Sequence, residues 1–126
     1  MKFNPNCVRD ILIECERAIE PYVELYIEES DIPDSLSKYS WSELLYHLEQ
    51  CKLSGLFADK SYEDTTGAYR ISDLSPKGHE LLNQICKDKI WKKIIKKGIL
   101  SLPQLIEIAI SSISLFQSFD GDNLAK

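Results

Sequence analysis

Apolar positions recur at intervals of three and four along five stretches of the chain, and three shorter stretches read as strands. Asn4 followed by Pro5 starts a first helix, because an Asx side chain caps free amides and proline suits the first helical position. Val8, Ile11, Leu12, Cys15 and Ile19 form its inner face, with Arg9, Asp10, Glu14, Glu16 and Arg17 outside, and Pro21 ends it near Glu20. Tyr22 to Ile27 alternates, with Val23, Leu25 and Ile27 on one side, as a short half-buried strand does. The stretch EESDIPDSLSKYS that follows is polar and broken by proline, so any helix here is absent or reduced to a turn.

Ser40 and Glu43 have the spacing of a capping box, and Trp41, Leu44, Leu45, Leu48 and Cys51 give the next helix an inward stripe that Gly55 ends. Leu56 to Ser61 and Ala68 to Asp73 are read as two strands joined by YEDTTG, in which Gly67 supplies the positive φ of a hairpin loop. Ser75 and Pro76 open a helix with Leu81, Leu82 and Ile85 buried. KDKIWKKIIKKG continues or restarts it, with Ile90, Trp91, Ile94 and Ile95 opposed to Lys92, Lys93, Lys96 and Lys97, and Gly98 stops it. Ser101 caps a last helix whose stripe runs through Leu102, Leu105, Ile106, Ala109, Ile110, Ile113 and Phe116.

Helix, hairpin, helix from Tyr39 to Ile85 is the order at the core of a winged helix, and the polar turn before it stands where most winged helices have a further helix. The fold class expected is therefore α+β, mostly helical: a winged-helix-like domain with a reduced second helix, a β-hairpin wing and extra C-terminal helices. Residues 1–98 form that domain, 99–119 a C-terminal helix packed on it or at a dimer interface, and 120–126 a flexible tail. Val8, Ile11, Leu12, Leu44, Leu45, Leu48, Leu56, Leu81, Leu82 and Ile85 are expected to share one core. The breadth of the last stripe also suits a homodimer through that helix.

With 126 residues, 44% of them hydrophobic, the chain has the size of one compact domain. Its longest uncharged stretch, Ile108 to Phe119, is shorter than the roughly 20 residues that span a bilayer, which points to a soluble, intracellular protein. Cys7, Cys15, Cys51 and Cys86 lie far apart without a CxxC pair, as free thiols in a reducing compartment would. The net charge of −5 is uneven: 14 acidic against 6 basic residues from Met1 to Thr66, then 6 against 9 from Gly67 to Lys126.

The segments NPNCVRDILI, YSWSELLYHLEQCKLSGLF, ISDLSPKGHELLNQI and IWKKIIKKG, in this order, resemble a family of phage-associated winged-helix proteins, domain of unknown function 2513. The resemblance spans roughly Asn4 to Gly98; Gly78 and His79 match its glycine-histidine pair, while Leu82 stands where phenylalanine is common. It implies a winged-helix-like fold, carriage on phages or prophages, and no catalytic residue or cofactor to carry over.

No nucleophile elbow, phosphate loop or paired catalytic carboxylates appear, so a non-enzyme is expected, with no catalytic residue, metal or cofactor. His47 and Cys51, four apart on one helix, are two ligands where a metal needs more. His79 is expected to bond a backbone carbonyl or pack on an aromatic ring, since its neighbour Glu80 points elsewhere. A winged-helix DNA reader presents the helix before its hairpin; here that face offers Ser42, Glu43, Tyr46, His47, Glu49 and Gln50, with Lys52 its one cation, and the carboxylates repel phosphate. The wing carries Lys60, Glu63, Asp64 and Arg70, and Lys89, Lys92, Lys93, Lys96 and Lys97 make a basic patch on a later helix. Glu43, Tyr46, His47, Glu49 and Gln50 are accordingly read as an interaction face. The function expected is contact with a host or phage protein, a basic nucleic-acid-binding or host-defence factor being one fit to an acidic face. The alternative is a winged-helix DNA-binding regulator of phage genes, with weak, salt-dependent DNA affinity through the lysine patch.

Overall fold

The computed structural model describes residues 1–21, 23–59 and 61–110. Its elements are α1 (Pro5–Ala18), β1 (Leu25–Ile27), one 3-10 turn at Asp34–Leu36, α2 (Trp41–Leu53), β2 (Tyr62–Glu63), β3 (Tyr69–Ile71), α3 (Pro76–Ile85) and α4 (Asp88–Ile95). Residues 102–110 form a further helix, α5. About half of the described chain is helical, and the three strands make one antiparallel sheet in the order β1-β3-β2.

The caps form as their residue types require. Asn4 accepts the Asn6 amide, Ser40 the Glu43 amide and Ser75 the Gly78 amide, each satisfying a donor that the first helical turn leaves orphaned and contributing about 1 kcal/mol. Ser101 accepts from Gln104 in the same way. Helix α1 stops at Ala18, two residues short of Glu20, with Ile19 already extended. Of the described residues of the alternating stretch, Leu25 and Ile27 point inward; Val23 is exposed, held instead in a local bridge with Glu20. The polar stretch contains its single turn of helix and buries Leu36 completely.

The hairpin departs from the expected register. Its first arm does not run as a strand from Leu56 to Ser61. Phe57 bridges Leu74 and the Ala58 amide meets the Asp73 carbonyl, but Ser61 then closes a turn onto the Ala58 carbonyl, and pairing resumes only at Tyr62↔Arg70 and Glu63↔Tyr69. The buried Ser61 hydroxyl accepts the Ser72 amide at 3.2 Å, filling the gap left in the ladder. Gly67, at φ +88°, makes the reversal.

One core holds the elements together. Val8, Ile11, Leu12, Leu44, Leu48, Leu56, Leu81, Leu82 and Ile85 are all within it, with Leu45 packed at its margin. The same core takes Leu102, Leu105, Ile106 and Ala109, so the described part of α5 spends its stripe on the domain; Ile113, Phe116 and the 120–126 tail lie outside the described residues. Helix α3 approaches so closely that a Cβ on Gly78 would stand 2.1 Å from the Leu56 carbonyl oxygen, which leaves room for glycine alone. Arg9 ties α1 to the α3–α4 junction: Nε donates to the Ile85 carbonyl at 2.7 Å, and the terminal nitrogen to the Cys86 carbonyl at 3.1 Å and the Asp88 carboxylate at 2.7 Å. The guanidinium also lies 5.4 Å from the Trp91 ring, whose indole donates to Asn6.

Candidate interaction surface

Helix α2 repeats its buried positions at 44, 47, 48 and 51, so the interaction face read from sequence is split. His47, expected to be exposed, is completely buried. Its Nδ1 lies 2.7 Å from the Glu43 carbonyl oxygen and Nε2 accepts the Asn4 amide at 2.8 Å, which sets the neutral ring with its proton on Nδ1. Phe3 and Tyr46 pack on the ring, and Asn4 Nδ2 donates to the Glu43 carboxylate at 3.3 Å. Both nitrogens are thus occupied, and Cys51 beside it is a buried thiol whose pKa burial pushes up, so the pair offers no metal site. Glu43, Tyr46, Glu49 and Gln50 are half-buried. The Tyr69 hydroxyl is buried close to Glu49, and burial, then the Glu49 charge, raises its pKa.

The hairpin tip is a closed electrostatic unit. The Asp64 carboxylate accepts the Thr66 hydroxyl and amide, the Ala68 amide, and Arg70 Nε at 3.1 Å. Its pKa falls, the Thr66 hydroxyl contributing most. Two of the charges assigned to the wing therefore neutralise each other, Glu63 remains exposed, and Lys60 lies outside the described residues.

The sheet's outer face brings together residues that sequence reasoning scattered. Tyr26 and Tyr62 both pair with Arg70, one from each flanking strand, so the three side chains stand in a row on the face away from Leu25, Ile27, Tyr69 and Ile71. The Arg70 guanidinium lies 4.7 Å from the Tyr26 ring, and both tyrosines are substantially exposed, 38% and 46%. Next to this row a groove of about 490 Å³ is lined by Glu28, Glu29, Ser30, Trp41, Thr66 and Gly67. The Tyr26 hydroxyl donates to Glu28 at 3.3 Å, joining row and groove. The signal was the alternation of Glu24, Tyr26 and Glu28, but the partner strand that completes the row is a long-range pairing.

The lysines take the positions expected of them: Lys89, Lys92, Lys93, Lys96 and Lys97 are exposed on α4 and its end, beyond the buried Trp91 and Ile94. That helix packs on α3 and, through Arg9 and Asn6, on the start of α1. His79 is exposed and meets Asp73 at 3.5 Å, a carboxylate six residues earlier, in place of the expected backbone carbonyl or ring. Cys7 and Cys15 are also buried, with thiols that burial pushes up, Cys7 to about 12, while Cys86 is exposed. Glu14 is buried yet ionised: burial alone would raise its pKa, but hydrogen bonds from Arg17 and from Ser35 at 2.6 Å hold it below the ordinary 4.5. Among the described residues no group of three or more His, Cys, Asp or Glu could hold a metal ion, and no helix is long and apolar enough to cross a membrane.

Neither a curated protein nor a solved structure matches the chain significantly. The family model described as "Hypothetical protein (DUF2513)" matches residues 2–100, which takes in every element from α1 to α4, the hairpin tip and the Tyr26–Arg70–Tyr62 row, so this chain belongs to the DUF2513 family.

Proposed function

We propose that the protein is a non-enzymatic, winged-helix-like module of a phage or prophage that works in the bacterial cytoplasm by contact with another protein. The element order supports the winged-helix reading: β1 follows α1 and pairs with the second arm of the hairpin, and α2 directly precedes that hairpin. One observation carries the choice of protein over DNA. The first turns of α2 are engaged by residues 3 and 4: the Glu43 carboxylate accepts from Asn4, and His47, which a DNA reader would need outside, is buried, bonded to Asn4 and packed against Phe3. What α2 leaves for a groove is Ser42, half-buried Glu43, Tyr46, Glu49 and Gln50, and one cation, Lys52, while the hairpin arginine is held by Asp64.

The exposed lysines of α4 favour the second reading, a DNA-binding regulator gripping phosphates. A titration separates the two. We expect duplex DNA to bind no tighter than about 10⁻⁶ M at physiological salt, without sequence preference. Nanomolar affinity for one duplex over a scrambled one, lost on Lys92→Glu with Lys96→Glu, reverses the ranking. A single protein recovered from host lysate after nuclease treatment, and bound again by purified components, supports protein contact.

A further inference from the structure

We infer that the outer face of the sheet and the groove beside it form a docking surface for an arginine-rich segment of a protein partner. This rests on the reading of the chain as a protein-contact module and names the partner's chemistry. Three features converge there. Among the described residues the Tyr26–Arg70–Tyr62 row is an unpartnered sheet face of the residue types that dominate binding hot spots. The apolar side chains of the opposite face, Leu25, Ile27, Tyr69 and Ile71, are buried, and Glu63 of β2 is exposed beyond them.

The groove supplies the second feature. Trp41, at the start of α2, lines a space together with Glu28, Glu29 and Ser30 after β1 and with Thr66 and Gly67 of the hairpin tip. An indole beside two carboxylates is complementary to a cation, and above all to guanidinium, which is planar enough to stack on the ring while its fork donates to carboxylate. Among the described residues no Lys or Arg is ion-paired with either glutamate. The third feature is the field: the half of the chain that builds α1, β1, α2 and the hairpin tip up to Thr66 carries 14 acidic against 6 basic residues, an excess that attracts a basic segment. Arg70 does not oppose it, since Asp64 neutralises it in place and Tyr26 covers its plane.

An arginine side chain entering the groove would lie over Trp41 between Glu28 and Glu29, with the rest of the segment crossing Tyr26 and Tyr62. The test uses the full chain and fluorescein-labelled nona-arginine as probe, read by anisotropy in low salt and by amide and indole shifts of the 15N-labelled protein. Saturable binding with shifts centred on the Trp41 indole, Gly67 and Tyr62 is expected. Glu28→Gln with Glu29→Gln should weaken it about tenfold. Glu16→Gln with Glu80→Gln, which removes the same charge from exposed sites on α1 and α3, should change it by less than about twofold. Equal weakening by both pairs, shifts elsewhere on the surface, or no binding overturns the docking surface. The duplex titration above is run on the same samples: specific DNA binding overturns the protein-contact reading itself, whereas failure of the peptide alone, with DNA also weak, overturns only this surface.

Discussion

Arg9 and Arg70 are placed in much the same company, a guanidinium against a carboxylate and an aromatic ring, yet they do different work. Arg9 sits at the joint of α1, α3 and α4, where two main-chain carbonyls at the end of α3 accept its hydrogen bonds and Asp88 at the start of α4 takes the charge. Its side chain is 18% exposed and Trp91 closes over it. Arg70 stands on a sheet, bonded to one carboxylate of its own hairpin and flanked by two exposed tyrosines. The helix joint consumes its polar groups by bonding backbone that would otherwise be orphaned; the sheet face, whose backbone is already paired in the ladder, leaves its side chains turned outward. A guanidinium, a carboxylate and an aromatic ring therefore build a fastening in one place and a display in the other.

The helical side should break hardest. Leu48→Ala, at a completely buried position, is expected to cost about 2 to 5 kcal/mol in denaturant unfolding. Arg9→Ala should cost about 2 to 3 kcal/mol, because it strips charged donors from two carbonyls, and Arg9→Lys should recover little of it, since an ammonium lacks the fork that reaches both. A loss below about 0.5 kcal/mol for either Arg9 variant would erase the contrast with Arg70.

Acid should come next. Glu14 has its folded-state pKa held below the ordinary 4.5, so its bonds to Arg17 and Ser35 stabilise the fold above the ordinary carboxylate range, and that contribution disappears as pH falls through the lowered value. Thermal unfolding from pH 6 downward should show a loss of about 1 kcal/mol that Glu14→Gln abolishes. Smallest of all, Tyr62→Ala should change stability by no more than about 0.5 kcal/mol while reducing binding of a basic peptide. A large destabilisation there would make the tyrosine row part of the scaffold.

Local signals in the sequence were readable, and long-range ones were not. Asn4-Pro5, Ser40 with Glu43, Ser75-Pro76 and Ser101 each announce a helix start through chemistry completed within three residues, and each start is where the residues place it. His47 was legible by position and hidden by type: it falls between Leu44 and Cys51 on the inward stripe, but an imidazole there needs two partners, and one of them, the Asn4 amide, is 43 residues away. Glu14 follows the same logic, at the spacing of Cys7 and Ile11 but buried only because Arg17 and Ser35 meet its charge. The first arm of the hairpin misled because Ser61 substitutes a side-chain bond for a ladder bond, which alternation cannot encode. The tyrosine row depends on β1 pairing across to β3, a register that nothing between residues 28 and 68 spells out.

The distribution of the four thiols has a practical side. Cys7, Cys15 and Cys51 are sealed in the core and held as the protonated, unreactive form, whereas Cys86 faces solvent at the turn from α3 into α4. The unmutated protein thus carries its own attachment point for a maleimide dye, on a different element from the tyrosine row and the groove, and a fluorophore placed there can report on a bound partner by energy transfer without touching the surface that partner would occupy.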